Sequence, residues 1–230
     1  MTQGAPDVAT EGPESSTVRS IGRLPASRRL WGLDWTRELP RVAGDFTIEA
    51  GTFDEAYPFM REHYPTIFDG DAAARFFAEE MTEAKLRYLR DADAFIFRAE
   101  GRVAGICLAH PSDWSTYYVR TMAFLPELRR RGAATALDAV FGDVLPKVGV
   151  DRYEAETSIA NRPMMEGLLG WGAVVTGTVT SERWGAMVRL TRFLDRAPED
   201  VFRRQFVFGG KPEINPRFAD SATHPRRRPR

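Results

Sequence analysis

Cysteine is nearly missing from this chain of 230 residues, and Cys107 is its one example. A single thiol cannot close an internal disulfide, so nothing covalent staples the fold, and the chain suits a reducing compartment. Cys107 lies in the apolar run VAGICLAH, where a free thiol ordinarily packs as a small hydrophobe. His110 follows at an odd strand offset and so faces the other way, which argues against a reactive Cys–His pair. An excess of either charge is absent too, because 32 basic residues meet 32 acidic ones. Chains that coat nucleic acid show a basic surplus, so nucleic acid is not an expected partner and any anion must be recognised locally. Lysine is scarce, with only Lys85, Lys147 and Lys211. No apolar run reaches the length of about 18 residues that a membrane-crossing helix needs. The first residues lack the basic start and apolar centre of a secretory signal, so a cytoplasmic location is expected. His63 and His110 sit at no recognisable ligand spacing, and no metal site is expected. Neither the G-x-x-x-x-G-K-S/T phosphate loop nor G-x-G-x-x-G after a strand occurs.

What is present is an ordinary globular composition, 43% hydrophobic and 28% charged, enough for one sizeable core with short tails. Residues 1–20, rich in Gly, Pro, Ser and Thr, have little to bury and are expected to be disordered. Residues 21–44 complete an N-terminal extension. Its Trp31 and Trp35 read either as an arm packed on the domain or as a lid or partner contact. The domain is expected over 45–194. Alternating Phe46, Ile48 and Ala50 predict a strand. A helix opens at Thr52 or Asp54 and is expected to be interrupted near Pro58. A second helix, capped by Asp71, carries Phe76, Phe77, Met81, Leu86 and Leu89 at helical spacing. A hairpin follows, turning at Glu100-Gly101-Arg102, then a strand through 115–127 and a helix over 132–147. A strand over 151–158, a short helix from Arg162 and a final strand pair turning at Ser181-Glu182-Arg183 complete a mixed α/β single domain. Residues 195–230 contain a short helix and a basic tail, HPRRRPR, read first as solvated and second as a nucleic-acid contact.

The stretch FLPELRRRGAATAL, residues 124–137, sets three arginines against glycine and alanine between a strand and a helix. The first amides of a helix lack internal partners, and the helix dipole adds positive charge there. Gly132, Ala133 and Ala134 would let a phosphate approach the backbone, and Arg129, Arg130 and Arg131 could add charge-assisted bonds. A solvated helix start is the plainer reading of such a charge run.

These residues resemble the GNAT superfamily of acyl-CoA-dependent N-acetyltransferases. The superfamily's pyrophosphate motif is R/Q-x-x-G-x-G/A after a strand ending in hydrophobic-x-Pro. Phe124-Leu125-Pro126 followed by Arg129 through Ala134 meets it. A second landmark is a strand, an Asn, an apolar helix and a Gly, met here by Tyr153–Ser158, Asn161, Met164 to Leu169 and Gly172. The resemblance spans residues 45–194. It implies a mixed, mostly antiparallel central sheet with helices on both faces and a splayed strand pair. It also implies acetyl-CoA, or another acyl-CoA, as co-substrate. The pyrophosphate would lie on the amides around Arg130–Thr135. The pantetheine arm would run between strands 117–124 and 153–158, pairing near Met122 and Phe124. Asn161 would contact that arm, cap its helix, or do both.

Acylation of an amine needs a base to free the nitrogen lone pair, donors for the developing oxyanion, and a route for the thiolate to leave. In several relatives the base is a Glu five residues before the landmark Asn, which is Glu156 here. Strand alternation puts Glu154, Glu156 and Ser158 on one face, either towards an acceptor cleft or simply towards solvent. Relatives often carry a Tyr seven residues after the Asn as the acid, and Leu168 stands there instead. Tyr117, Tyr118 and Ser158 are the remaining candidates. Phe59, Tyr64, Phe68 and Trp184 read as pocket wall or as core, and Arg61 and Arg183 as acceptor contacts or as surface. The resulting expectation is transfer of an acetyl or other short acyl group to a small-molecule amine. The alternative is a GNAT fold kept as an acyl-CoA sensor or interaction module without turnover. A homodimer is left open.

Overall fold

Periodicity and capping translate into local structure along most of the computed structural model, which describes residues 24–68, 82–181 and 184–206. The expectations for residues 1–20, Asp71, Phe76, Phe77, Met81, Glu182, Arg183 and the basic tail lie outside the described residues. The elements in chain order are α1 (Ala26–Trp31), α2 (Trp35–Glu38), β1 (Arg41–Ala43), β2 (Phe46–Gly51), α3 (Phe53–Ile67) and α4 (Glu83–Arg90). They continue with β3 (Asp93–Ala99), β4 (Arg102–Pro111), β5 (Thr116–Phe124), α5 (Ala133–Val144) and β6 (Arg152–Ser158). The last are α6 (Arg162–Gly170), β7 (Val174–Ser181), β8 (Gly185–Phe193) and α7 (Arg196–Phe206).

The strands form one eight-stranded sheet in the order β1-β2-β3-β4-β5-β6-β8-β7. Every pairing is antiparallel except β5 with β6. One face packs on α2 and α5 through Trp35, Phe95, Phe97, Leu137, Phe141 and Tyr153. The other packs on α3 and α4 through Phe53, Phe59, Met60, Leu89, Ile96 and Leu108. The sheet is therefore mixed and mostly antiparallel with helices on both faces. Cys107 is fully buried in the first cluster, where burial pushes its thiol well above the ordinary range.

Thr52 caps α3, and Glu55 reaches back to the Thr52 amide, closing a reciprocal capping box. The helix is not interrupted at Pro58: it runs through Pro58 and Pro65 to Ile67. The proline ring already holds a helical φ, so the loss at Pro58 is one main-chain bond near the helix start. Burial of Phe59, Met60 and Tyr64 on the sheet offsets that loss. The β3–β4 hairpin turns through Glu100 at φ 52 and Gly101 at φ 76, the left-handed pair that a two-residue hairpin demands.

The segment before β2 is part of the same core. Trp35 meets Phe95 edge-on at 4.9 Å, Trp31 donates to the Trp114 carbonyl at 2.9 Å, and β1 adds an edge strand to β2. Asp93 fastens α1 to the sheet by accepting from Ser27 Oγ at 2.6 Å and from the Tyr117 hydroxyl at 2.7 Å. Burial pushes the Asp93 carboxyl up to about 6.

Two departures from regular pairing position the site. Leu108 pairs with Thr121 but Ala109 with Val119, so Arg120 is an extra residue bulged out of β5. β5 and β6 pair only from Thr116 with Arg152 to Val119 with Ala155, and beyond that point they part. The splay implied by the resemblance is thus present.

Candidate active site

Beyond Phe124 the chain makes one 3₁₀ turn, Pro126–Leu128, and enters α5 through two left-handed residues, Arg130 at φ 61 and Gly132 at φ 83. Gly132 is the N-cap of α5, and no side chain caps the helix. The amides of its first turn therefore stay available to an external acceptor. A Cβ at Gly132 would meet no atom within 4 Å, so glycine is required there by φ and leaves the turn open to a bulky anion. The three arginines divide their roles. Arg129 Nε donates to the Phe124 carbonyl at 3.0 Å, and Arg131 pairs with Asp45. Both brace the turn, while Arg130 is exposed with no partner among the described residues. Ala133 is buried, and Ala134 and Thr135 are half-buried behind it.

Where β5 leaves β6, an apolar cleft opens, lined in part by Val119, Met122, Ala134, Ala155, Met164 and Leu168. Gly105 lets the Phe124 ring lie against β4, for a Cβ there would fall 2.4 Å from that ring. Asn161 Oδ1 accepts from the Met164 amide at 3.4 Å, so Asn161 caps α6. An open helix mouth followed by a parted strand pair and an apolar slot fits a diphosphate joined to a flexible alkyl-amide arm.

On the other face of β6 the alternation holds: Tyr153, Ala155 and Thr157 are buried towards α5, and Glu154, Glu156 and Ser158 face away from it. Glu156 Oε2 accepts from the Tyr118 hydroxyl at 3.2 Å. Its Oε1 accepts from Arg189 Nη2 at 2.6 Å and Nε at 3.0 Å. Glu154 accepts from Thr191 Oγ1 at 3.1 Å and lies 3.7 Å from Arg189. Burial, and then the negative charge of Glu156, push the Tyr118 hydroxyl up to about 12. Ser158 Oγ accepts from the Ala160 amide at 3.2 Å and closes the turn into α6. Tyr117 lies on the opposite face, fully buried on Asp93, and Leu168 is core at 1% exposure. Of the acid candidates, Tyr118 is the one whose hydroxyl touches Glu156.

Around this pair runs a second set of polar groups. Arg120 stacks over the Tyr88 ring at 5.2 Å and donates to its hydroxyl at 3.3 Å. The Tyr88 hydroxyl meets His110 Nε2 at 3.2 Å, and the His110 ring meets Tyr118 edge-on at 5.5 Å. An aromatic row, Tyr64–Phe68–Trp184, has centroid spacings of 4.8 and 5.5 Å. Tyr64 and Phe59 are core, whereas Phe68 and Trp184 are half-buried. Arg61 is exposed over Tyr57. Sequence reasoning did not single out Arg189, Arg120 or Tyr88. Only for Arg189 was there a usable signal, since alternation on β8 puts it opposite Glu156 once β6 and β8 are known to pair. Among the described residues no His, Cys, Asp and Glu group could hold a metal ion, and no helix is long and apolar enough to cross a membrane.

Residues 54–166 match the acetyltransferase (GNAT) family. No curated protein matches the chain. Among solved structures the chain is similar to a GNAT-family protein from Desulfovibrio desulfuricans, with TM-score 0.52 and 16% identity over 65% of this chain and 99% of that one. It is equally similar to a spermidine N-acetyltransferase chimera from Vibrio cholerae and hSSAT, with TM-score 0.52 and 12% identity over 66% of this chain and 98% of that one. At such identities the two structures speak for the fold alone, and the family match speaks for acyl transfer from acyl-CoA. With the glycine-capped helix mouth and the splayed pair in place, the chain carries an acetyltransferase domain of the GNAT family across residues 54–166.

Proposed function

We propose that the protein moves an acetyl or other short acyl group from acyl-CoA to the amine of a small molecule, acting in the cytoplasm. The observation that carries this is the parting of β5 from β6 beside an uncapped α5, with a Tyr118–Glu156 pair on the same two strands. Acyl-CoA supplies an activated thioester carbonyl. The first-turn amides from Gly132 to Thr135, with Arg130, would hold the diphosphate, while Arg129 and Arg131 keep the turn in shape. The free edge of β5 at Met122 and Phe124 would pair with the pantetheine amides, and the Asn161 side-chain nitrogen would assist. Glu156, oriented by Arg189, takes the proton from the incoming amine directly or through water. Tyr118 keeps its proton to alkaline pH and can pass it to the departing sulfur, the role that Leu168 cannot fill. The second reading, a sensor that binds acyl-CoA without turnover, draws on Leu168 and on the close Arg189–Glu156 pair.

The test is release of free thiol from acetyl-CoA across a panel of small amines, with Glu156→Gln run alongside. The parent should release thiol with at least one amine. Glu156→Gln should turn over about 10²-fold more slowly at unchanged acetyl-CoA affinity, the usual scale for a lost general base. Binding without release by any amine would favour the sensor. Undiminished turnover by Glu156→Gln would remove that residue from the chemistry.

A further inference from the structure

Arg120 is the residue that the β5 bulge inserts, and it has no partner on β4. Alternation from Tyr118 puts its side chain on the Glu156 face, and the bulge lets Thr121 share that face, bonded to the Tyr64 hydroxyl at 2.8 Å. An unbroken line of contacts joins Arg120 to the candidate base: Tyr88 at 3.3 Å, then His110 at 3.2 Å, then the Tyr118 ring at 5.5 Å, then Glu156 at 3.2 Å.

The charge on Arg120 is unanswered. Arg189 has Glu156, Arg98 has Glu49 and Arg90 has Asp54, but among the described residues no carboxylate lies within ion-pair reach of half-buried Arg120. Its neighbours cannot compensate. Burial, with Arg120 itself, holds the His110 imidazole down to about 4, so it is neutral at physiological pH, and Tyr88 offers only its ring and a hydroxyl. A guanidinium braced against a tyrosine ring keeps its planar fork ready for a two-point anion. At the other end of that line the balance is reversed, because two carboxylates, Glu154 and Glu156, share the single Arg189. This face of the sheet thus carries surplus negative charge at Glu154 and Glu156 and positive charge at Arg120.

We propose that Arg120 binds a carboxylate of the acceptor, so that the acceptor is a small amino acid carrying both an amine and an acid, and not a polyamine. The proposal rests on the amine-acylating reading given above. Arg120 is then a specificity-determining residue, and Tyr88 positions it.

The probes are amino acids, each compared with its own carboxamide, which keeps the amine and removes the negative charge. With acetyl-CoA and thiol detection, the parent should favour the best free acid over its carboxamide by about tenfold or more in kcat/KM, as a site built around a polar group rejects the analogue lacking it. Arg120→Gln should erase that preference by lowering kcat/KM for the free acid far more than for the carboxamide. Arg120→Lys should retain part of it. Equal use of acid and carboxamide by the parent, or an equal loss on both in Arg120→Gln, would overturn the proposal. Calorimetric titration of the same amino acids into the protein with CoA bound needs no turnover. Binding that is lost in Arg120→Gln sustains the anion site even if acyl transfer fails. Absence of both binding and turnover for every free acid, with a carboxamide or polyamine still acetylated, rejects the acid class and spares the transferase; absence of all of these rejects both.

Discussion

The turn at the head of α5 and the polar cluster across β5, β6 and β8 are assembled in opposite ways. The turn takes its parts from one short stretch, and its proposed recognition groups are backbone amides left open by Gly132. The cluster collects side chains from far apart: Tyr118 and Glu156 are 38 positions from each other, and Glu156 and Arg189 are 33. A main-chain site needs only the right local conformation, so one glycine and one helix start suffice. A side-chain site needs the register of several strands to be correct at once. The two faces of the sheet differ similarly in their titratable groups. Asp93, on the α5 face, is held by neutral hydroxyl donors, while His110, on the α3 face, sits beside a cation.

Gly132→Glu is the strongest way to break this comparison. A side chain at that left-handed position, with a negative charge before the open amides, should abolish acetyl-CoA binding measured by calorimetry. The fold should persist in circular dichroism, since a Cβ there meets nothing within 4 Å. Parent-like affinity would place the coenzyme elsewhere.

The two faces can be separated by pH. Asp93, raised to about 6 from 3.8, binds its proton more tightly folded than unfolded, so its contribution to stability is present at low pH and is lost as pH rises from about 4 to about 6. His110, lowered to about 4 from 6.5, does the opposite, and stability is lost as pH falls across that window. Each amounts to at most about 3 kcal/mol, less for the partly solvated His110. Relative to the parent, urea unfolding of Asp93→Asn should show stability climbing more steeply between those pH values. His110→Gln should show it climbing less steeply or falling. Identical slopes for Asp93→Asn and the parent would contradict the assignment.

Asn161→Ala sharpens the comparison most gently. As a helix cap through a 3.4 Å bond, Asn161 should be worth about 1 kcal/mol or less in thermal unfolding. Its loss should barely change the affinity for acetyl-CoA. A larger fall in affinity than in stability would make the pantetheine arm its principal partner.

Legibility followed the same divide. The left-handed turn at Glu100-Gly101, the alternation of β6 and the α5 entry all declared themselves over a few consecutive residues. The continuation of α3 through Pro58 did not, because the local signal against it is real and is outweighed by burial of Phe59, Met60 and Tyr64 on strands far along the chain. The bulge at Arg120 left no mark either, for nothing in Tyr118-Val119-Arg120-Thr121 says that one residue will go unpaired.

By itself the sequence determined the proposed coenzyme end of this protein: a glycine in a left-handed turn ahead of an apolar helix opens amides whatever surrounds them. The tertiary structure alone decided the proposed acceptor end. Which arginine answers Glu156, and that Arg120 meets no carboxylate among the described residues, follow from strand order and from a one-residue slip in register. Charges meet across a sheet only after the whole sheet has formed.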